Sequence, residues 1–201
     1  MTAWGVVVAA GSGTRFGSSK QHALLKGKPL WEWARDALTG GGCDRVVVVG
    51  PVPGGLPGGP RRRDSVAAGL AALGSQVEWV LVHDAARPLA SSELVSRVLA
   101  RLVRGDCDGV VPVVPVRDTI KEVEAGMVVR TVDRQRLVVV QTPQGFPLGM
   151  LRKAHAATDD DVSDDAVLVE RAGGSVVVVE GEALNLKVTH PEDLALAEGL
   201  V

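Results

Sequence analysis

An α/β domain with a mainly parallel sheet is what this sequence predicts, on three observations. Short valine-rich runs recur at 6–10, 46–50, 79–83, 110–116, 137–142 and 175–180, and several are apolar throughout instead of alternating, the pattern of strands buried on both faces. Stretches with apolar residues at helical spacing lie at 30–38, 64–73, 91–103, 147–157, 164–172 and 191–200. Strand and helix alternate, and parallel neighbours require such crossovers.

The first strand runs from Val6 to Ala10 and breaks into Gly11-Ser12-Gly13-Thr14-Arg15, with Lys20 shortly after. Glycines at a strand end expose consecutive backbone N–H groups to phosphate oxygens, and Arg15 and Lys20 add positive charge. The spacing lacks the third glycine of a dinucleotide fingerprint and the Gly-Lys-Ser/Thr ending of a P-loop, which disfavours both. Taken alone, the segment fits equally a plain strand-to-loop turn with a solvated basic pair. After the second strand, residues 50–59 are rich in glycine and proline and form a loop. Asp64 is placed to cap the following helix, and Ser91 or Ser92 the next, in which Leu94, Val95, Val98, Leu99 and Leu102 share one face as core. Residues 116–131 read as a polar hairpin pushed out between two buried strands. Thr189-His190-Pro191-Glu192 combines a capping box with an early proline at the last helix.

The 201 residues fit one domain, 1–201, large enough to bury a core without metal or disulfide staples. With 22 basic and 24 acidic residues the formal net charge is −2, so neither nucleic-acid nor membrane partners are expected, and any phosphate site is local. Cys43 and Cys107 stand apart without a zinc pattern or a disulfide framework, which points to a reducing cytoplasm. The apolar N-terminus is too short to span a bilayer and lacks a basic leader, so it reads as a strand, with no targeting segment.

Ligands of open α/β sheets sit beyond the carboxyl ends of the strands, and five polar segments fall there: 11–20, 58–65, 83–88, 117–121 and 185–189. In His83-Asp84-Ala85-Ala86-Arg87-Pro88 the acid suits a sugar hydroxyl, an ammonium or a metal and the base suits phosphate, with a structural ion pair as the alternative. His83, lacking a nucleophile or carboxylate dyad beside it in sequence, reads as structural. The run Gly58-Gly59-Pro60-Arg61-Arg62-Arg63-Asp64-Ser65 places N–H groups and a hydroxyl at a helix start, although its arginines also fit a solvated surface run. Lys187 sits where it can reach phosphate or simply face solvent. Asp159-Asp160-Asp161 and Ser163-Asp164-Asp165 form either a metal cluster or, the reading adopted, a solvated loop and an acid-rich helix start.

Together these segments resemble the 2-C-methyl-D-erythritol 4-phosphate cytidylyltransferases of the non-mevalonate isoprenoid pathway. The resemblance rests on Ala9-Ala10-Gly11-x-Gly13-x-Arg15 with Lys20-Gln21, on Gly59-x-x-Arg62-x-x-Ser65-Val66-x-x-Gly69-Leu70, and on Val82-His83-Asp84-Ala85-Ala86-Arg87-Pro88. It continues in Pro115-Val116-x-Asp118-Thr119, Thr131-Val132-Asp133-Arg134, Gln141-Thr142-Pro143-Gln144 and Lys187-Val188-Thr189. It implies a Rossmann-like nucleotidyltransferase domain in which 115–142 include a projecting dimerisation arm.

The resemblance further implies that CTP is bound by Ala9, Ala10, Gly11, Gly13, Gly59, Ser65, Asp84 and Ala85, with Arg15, Lys20 and Lys187 as the catalytic cations. For the phosphorylated polyol it points to Asp84, Arg87, Thr119, Thr142, Ser163 and Lys187, and to Arg134 from the arm of a second subunit, hence to a homodimer. Mg²⁺ is expected to be held mainly by the CTP phosphates. Alternatives are a cytidylyltransferase for another polyol phosphate, such as ribitol 5-phosphate, or a catalytically silent CTP-binding subunit. The chain departs from the family pattern at Ser19, Pro60, Ser163 and Leu184 and in the short stretch 49–58, where a helix and an extra strand are common in relatives.

Overall fold

A computed structural model describes residues 2–11, 16 and 23–201. Its main, seven-stranded sheet is formed by β1 (Ala3–Val8), β4 (Arg45–Val49), β5 (Trp79–Asp84), β6 (Gly109–Pro115), β10 (Gln144–Pro147) and β11 (Val176–Glu180), in the order β11-β6-β10-β5-β1-β4, with β9 (Val138–Val140) off this path on β6. β1 pairs in parallel with β4 and β5, and β6 with β11, while β10 runs antiparallel between β5 and β6. The sheet is thus mixed but mainly parallel, as the buried valine runs predict.

Consecutive strand residues enter opposite cores. Val7 and Leu81 pack with Leu38 of α1 (Leu30–Gly40) and with Val95 and Val98 of α3 (Ser92–Leu102). Val6, Val80 and Val82 instead meet Val66 of α2 (Arg62–Ala71), Leu148 and Leu151 of α4 (Leu148–Ala157) and Leu168 of α5 (Asp165–Arg171). Helices on both faces explain why the strands are not amphipathic. A smaller cluster joins Leu25 and Leu30 to Val188 and Ala197, the last on α6 (Pro191–Glu198).

The structure corrects several sequence expectations. The run at 137–142 yields only β9 (Val138–Val140), which pairs antiparallel with β6, and its valines are exposed. An apolar run alone does not make a buried strand. β10 is not legible in the sequence, since Gln144 and Gly145 interrupt the apolar pattern, and neither is the small pair β2 (Leu24–Leu25) and β3 (Lys28–Pro29). Asp64 is not the N-cap of α2. It sits one turn in, and its carboxylate accepts from the backbone N–H and side chain of Arg61. At α6 the same inversion occurs: Asp193, not Glu192, accepts the backbone N–H groups of Thr189 and His190. Ser91 caps α3, accepting from the N–H of Leu94.

The expected hairpin is present as β7 (Ile120–Glu124) and β8 (Met127–Val132), a two-stranded sheet of its own turned through Ala125 and Gly126, both at positive φ. The loop at 50–59 folds back so that Leu56 bridges Val49 in parallel, donating to the carbonyl of Val48 while Gly50 donates to Leu56. A single bridge is the only sheet-like pairing this short stretch makes among the described residues.

His83 is fully buried, as a structural histidine, with Nδ1 2.8 Å from the Thr142 hydroxyl. Burial pushes its imidazole down to about 4, so it folds neutral. Because the unfolded chain takes up this proton near the ordinary value and the folded chain does not, stability is retained above that value and falls as pH drops toward about 4. Urea titrations should show roughly 3 kcal/mol lost across this window, with His83→Asn removing that share of the slope. Phe146, also fully buried, packs its ring so close to Gly109 that a Cβ there would stand 2.9 Å from it. It anchors β10, and Phe146→Ala should cost about 3–5 kcal/mol in the same titration. A loss below about 1 kcal/mol would refute its role as an anchor.

Candidate active site

Polar side chains converge at the carboxyl edge of the sheet. β5 delivers Asp84 there, and the antiparallel direction of β10 brings the residues that precede it, Gln141 and Thr142, to the same edge. A cavity of about 370 Å³ opens between them, lined among others by Arg62, Asp84, Arg87, Thr142, Ser163 and Lys187. The loop before α6 closes one side. Its Asn185 donates to the carbonyl of Thr142 at 2.9 Å, and Gln141 bonds Glu182 through both its amide nitrogen and oxygen.

Asp84 is the electrostatic centre. Its Oδ1 accepts from Arg62 Nε at 3.0 Å and its Oδ2 from Lys187 Nζ at 2.7 Å. Burial opposes ionisation, but Arg62 and Lys187 outweigh it and hold the carboxyl well below the ordinary carboxylate range. Its backbone N–H donates to the Thr142 hydroxyl. Arg87 donates from Nη1 to the carbonyl of Asn185 at 2.7 Å and from Nη2 to that of Val140 at 3.3 Å. Burial lowers its pKa, partly offset by Asp84, yet a guanidinium stays charged at neutral pH. Three cations therefore share this cavity wall with Asp84, an arrangement suited to a polyanionic ligand.

A second cavity, also about 370 Å³, lies beyond β1 and β4 and is lined by Ala10, Gly50, Pro51, Val52, Gly55, Pro57, Gly58 and Gly59. Its walls depend on close backbone approach. A Cβ on Gly58 would stand 2.3 Å from the Ala10 Cβ, so no side chain fits there. Ser65 accepts from the Gly59 N–H at 3.1 Å, which ties the start of α2 to this wall. Ala9 and Ala85 are buried, and Gly11 is exposed.

Of the residues implied for the polyol, Asp84, Arg87, Thr142, Ser163 and Lys187 come together around the first cavity. Thr119 and Arg134 do not: they are exposed beside β7 and β8, outside that lining. Ala10 and Gly59 line the second cavity. Gly13, Arg15 and Lys20 lie outside the described residues.

The arginine run is neither a solvated face nor a row of phosphate ligands. Arg61 bonds Asp64 and the carbonyl of Asp159, and Arg63, largely buried, donates to the carbonyls of His155, Thr158 and Asp160. Both fasten the loop between α4 and α5, while Arg62 alone turns into the cavity. The acidic stretch likewise divides. Asp159 and Asp160 are exposed but paired with Arg61 and Arg171, Asp164 caps α5, and Asp165 is buried against Arg62 and His155. No group of three His, Cys, Asp or Glu side chains among the described residues converges to hold a metal. Sequence reasoning assigned no role to Arg62, Gln141, Gln144 or Asn185, although the motifs around Ser65 and Thr142 contained the first three.

The sequence profile of the 2-C-methyl-D-erythritol 4-phosphate cytidylyltransferase family matches residues 56–201. The chain is 45% identical to the cytidylyltransferase of that name from Rhodococcus opacus, over 98% of this chain and 93% of the relative. It is 44% identical to the bifunctional enzyme IspD/IspF of Nitratidesulfovibrio vulgaris, again over 98% of this chain but only 58% of that longer protein. Among solved structures, the 2-C-methyl-D-erythritol 4-phosphate cytidylyltransferase of Thermus thermophilus superposes with a TM-score of 0.84 at 40% identity, covering 97% of this chain and 96% of its own. With Asp84, Arg87, Thr142, Ser163 and Lys187 gathered at one sheet edge and these relatives matching nearly its whole length, the chain belongs to the 2-C-methyl-D-erythritol 4-phosphate cytidylyltransferase family.

Proposed function

We propose that this chain transfers the cytidylyl group of CTP to 2-C-methyl-D-erythritol 4-phosphate, forming 4-diphosphocytidyl-2-C-methyl-D-erythritol and pyrophosphate. The observation that carries this reading is the wall of Arg62, Arg87 and Lys187 around Asp84, on an α/β sheet whose neighbouring strand ends hold a glycine-lined cavity. A phosphate oxygen of the polyol attacks the α-phosphorus of CTP in line, one P–O bond forms, and the bond to the β-phosphate breaks. No protein nucleophile takes part. Both reactants are polyanions, so the chain's task is to align them and to offset developing charge. Lys187, already at the cavity, turns from Asp84 to the α-phosphate. Lys20 joins it there, and Arg15 takes the leaving pyrophosphate. Arg87 holds the polyol phosphate, and Asp84 accepts from hydroxyls of sugar and polyol. Mg²⁺, held mainly by the CTP phosphates, would supply charge neutralisation to them.

We further read 1–201 as one cytidylyltransferase domain acting as a homodimer in the cytoplasm. The arm supports the dimer, because Val123, Met127, Val128 and Val129 are 56–71% exposed and Leu137 to Val140 extend the apolar surface. Arg134, outside its own cavity lining, is then supplied to the partner's site. The free, buried Cys43 and Cys107 support a reducing compartment, and no helix among the described residues is long and apolar enough to cross a membrane.

Purified protein given CTP, Mg²⁺ and the methylerythritol phosphate should release pyrophosphate. Replacing CTP with ATP or UTP should abolish release. Turnover with ribitol 5-phosphate instead would move the assignment to that substrate, and CTP binding without release would identify a silent subunit. Lys187→Ala should slow turnover about a hundredfold or more, on the scale of deleting one donor from an oxyanion site, and near-normal turnover would refute its role. Arg134→Ala mixed with Lys20→Ala should recover part of the activity that each lacks, once subunit exchange is verified. No recovery would count against a shared site.

A further inference from the structure

Behind Asp84, Arg62 leads to two buried groups, Asp165 and His155, that take no part in the proposed reaction. Arg62 spans two carboxylates with different edges: Nε holds Asp84 Oδ1 at 3.0 Å and Nη1 holds Asp165 Oδ2 at 2.7 Å. The other oxygen of Asp165 stands 2.9 Å from His155 Nε2. On the far side, Lys187 meets the remaining oxygen of Asp84. Four elements, α4, α5, α2 and β5, are thereby joined in series to the loop that carries Lys187.

We propose that Asp165 and His155 are positioning residues of the transfer site, fixing Arg62 so that its other edge sets Asp84 and, through it, Lys187. This rests on the cytidylyl-transfer reading given above. The side chains of Asp165 and His155 are 1% and 6% exposed, so solvent contributes little to their orientation. A buried ion pair is a poor way to gain stability, since desolvating both charges offsets their attraction and an apolar pair of similar volume often serves better. What the pair supplies is direction. A planar guanidinium gripped at one edge has little freedom at the other, which a lysine ammonium at the same place would not provide. Asp165 opens α5, where the helix N-terminus favours its negative charge, and Arg62 and His155 outweigh burial to keep its pKa low. The clamp is thus anchored to a helix end, while its working end, Asp84 with Lys187, faces the cavity.

Steady-state kinetics on the full chain test this. Asp165→Asn should lower kcat about tenfold with a smaller change in the KM for CTP, because Lys187 acts on the reacting phosphate whereas Asp84 makes only one of several contacts to the nucleotide. In a Lys187→Ala background the same substitution should add little further loss, since its effect runs through that lysine. Independent, multiplying losses, or an Asp165→Asn enzyme with wild-type kcat, would overturn the proposal. His155→Leu should reproduce the defect in part and His155→Gln, which keeps a side-chain N–H for Asp165, should restore it. This pair decides the matter if Asp165→Asn does not fold, and equal activity of the two would refute the role of His155. Solvent exchange of the Arg62 Nε–H, followed by NMR, should be slow in the wild type and faster in His155→Leu. Should the wild type prove inactive with CTP and the polyol phosphate, the assigned reaction fails. The exchange measurement then judges the clamp alone, with unchanged exchange refuting it.

Discussion

The carboxylate of Asp84 is the constraint around which this molecule is arranged. It stands at the end of a central strand, largely withdrawn from water, and an unpaired charge there would be costly. The structure meets that cost by bringing Arg62 from α2 and Lys187 from the loop before α6, residues far from it in sequence. Each partner then fixes its own segment. Arg62 carries the start of α2 against the sheet edge, and Lys187 holds the final loop over the cavity. The charges that a polyanionic ligand requires are thus already placed by a need of the fold.

The single antiparallel strand between β5 and β6 follows from the same geometry. A parallel β10 would enter the edge from the other direction and leave Gln141 and Thr142 at the amino end of the sheet. Running antiparallel, it returns them to the carboxyl end, where Thr142 accepts from the Asp84 backbone and Gln141 secures the loop at 182–185. The antiparallel insertion also forms the floor between β5 and β6, with Phe146 filling the core beneath it. Fold and site are joined here through backbone direction as much as through side-chain chemistry.

Two charged runs at the surface of this protein are tied together. The acid-rich loop at 159–164 and the basic run at 61–63 each look solvated when taken singly, yet they tie to each other across nearly a hundred positions. Exposed pairs such as Arg61 with Asp159 contribute little to stability, and their effect is to choose one loop conformation among many. The buried pair of Arg62 with Asp165 is of another kind, since breaking it would leave a charge without compensation.

Local pattern alone determined the alternation of strand and helix, the two-sided burial of the central valines, a serine cap at 91 or 92, the separate hairpin and the polar segments that meet at the cavity. Each of these depends on neighbours within a turn or a few residues of strand, so the information lies along the chain. Tertiary structure alone decided that the valines at 138–140 stay exposed, that Gln144 to Pro147 form a strand, and which arginine of three enters the site. It also decided that Asp165, one aspartate in an acidic stretch, is buried at the heart of a clamp. Burial and ion pairing of this sort depend on partners about a hundred residues away, and adjacency in sequence carries no record of them.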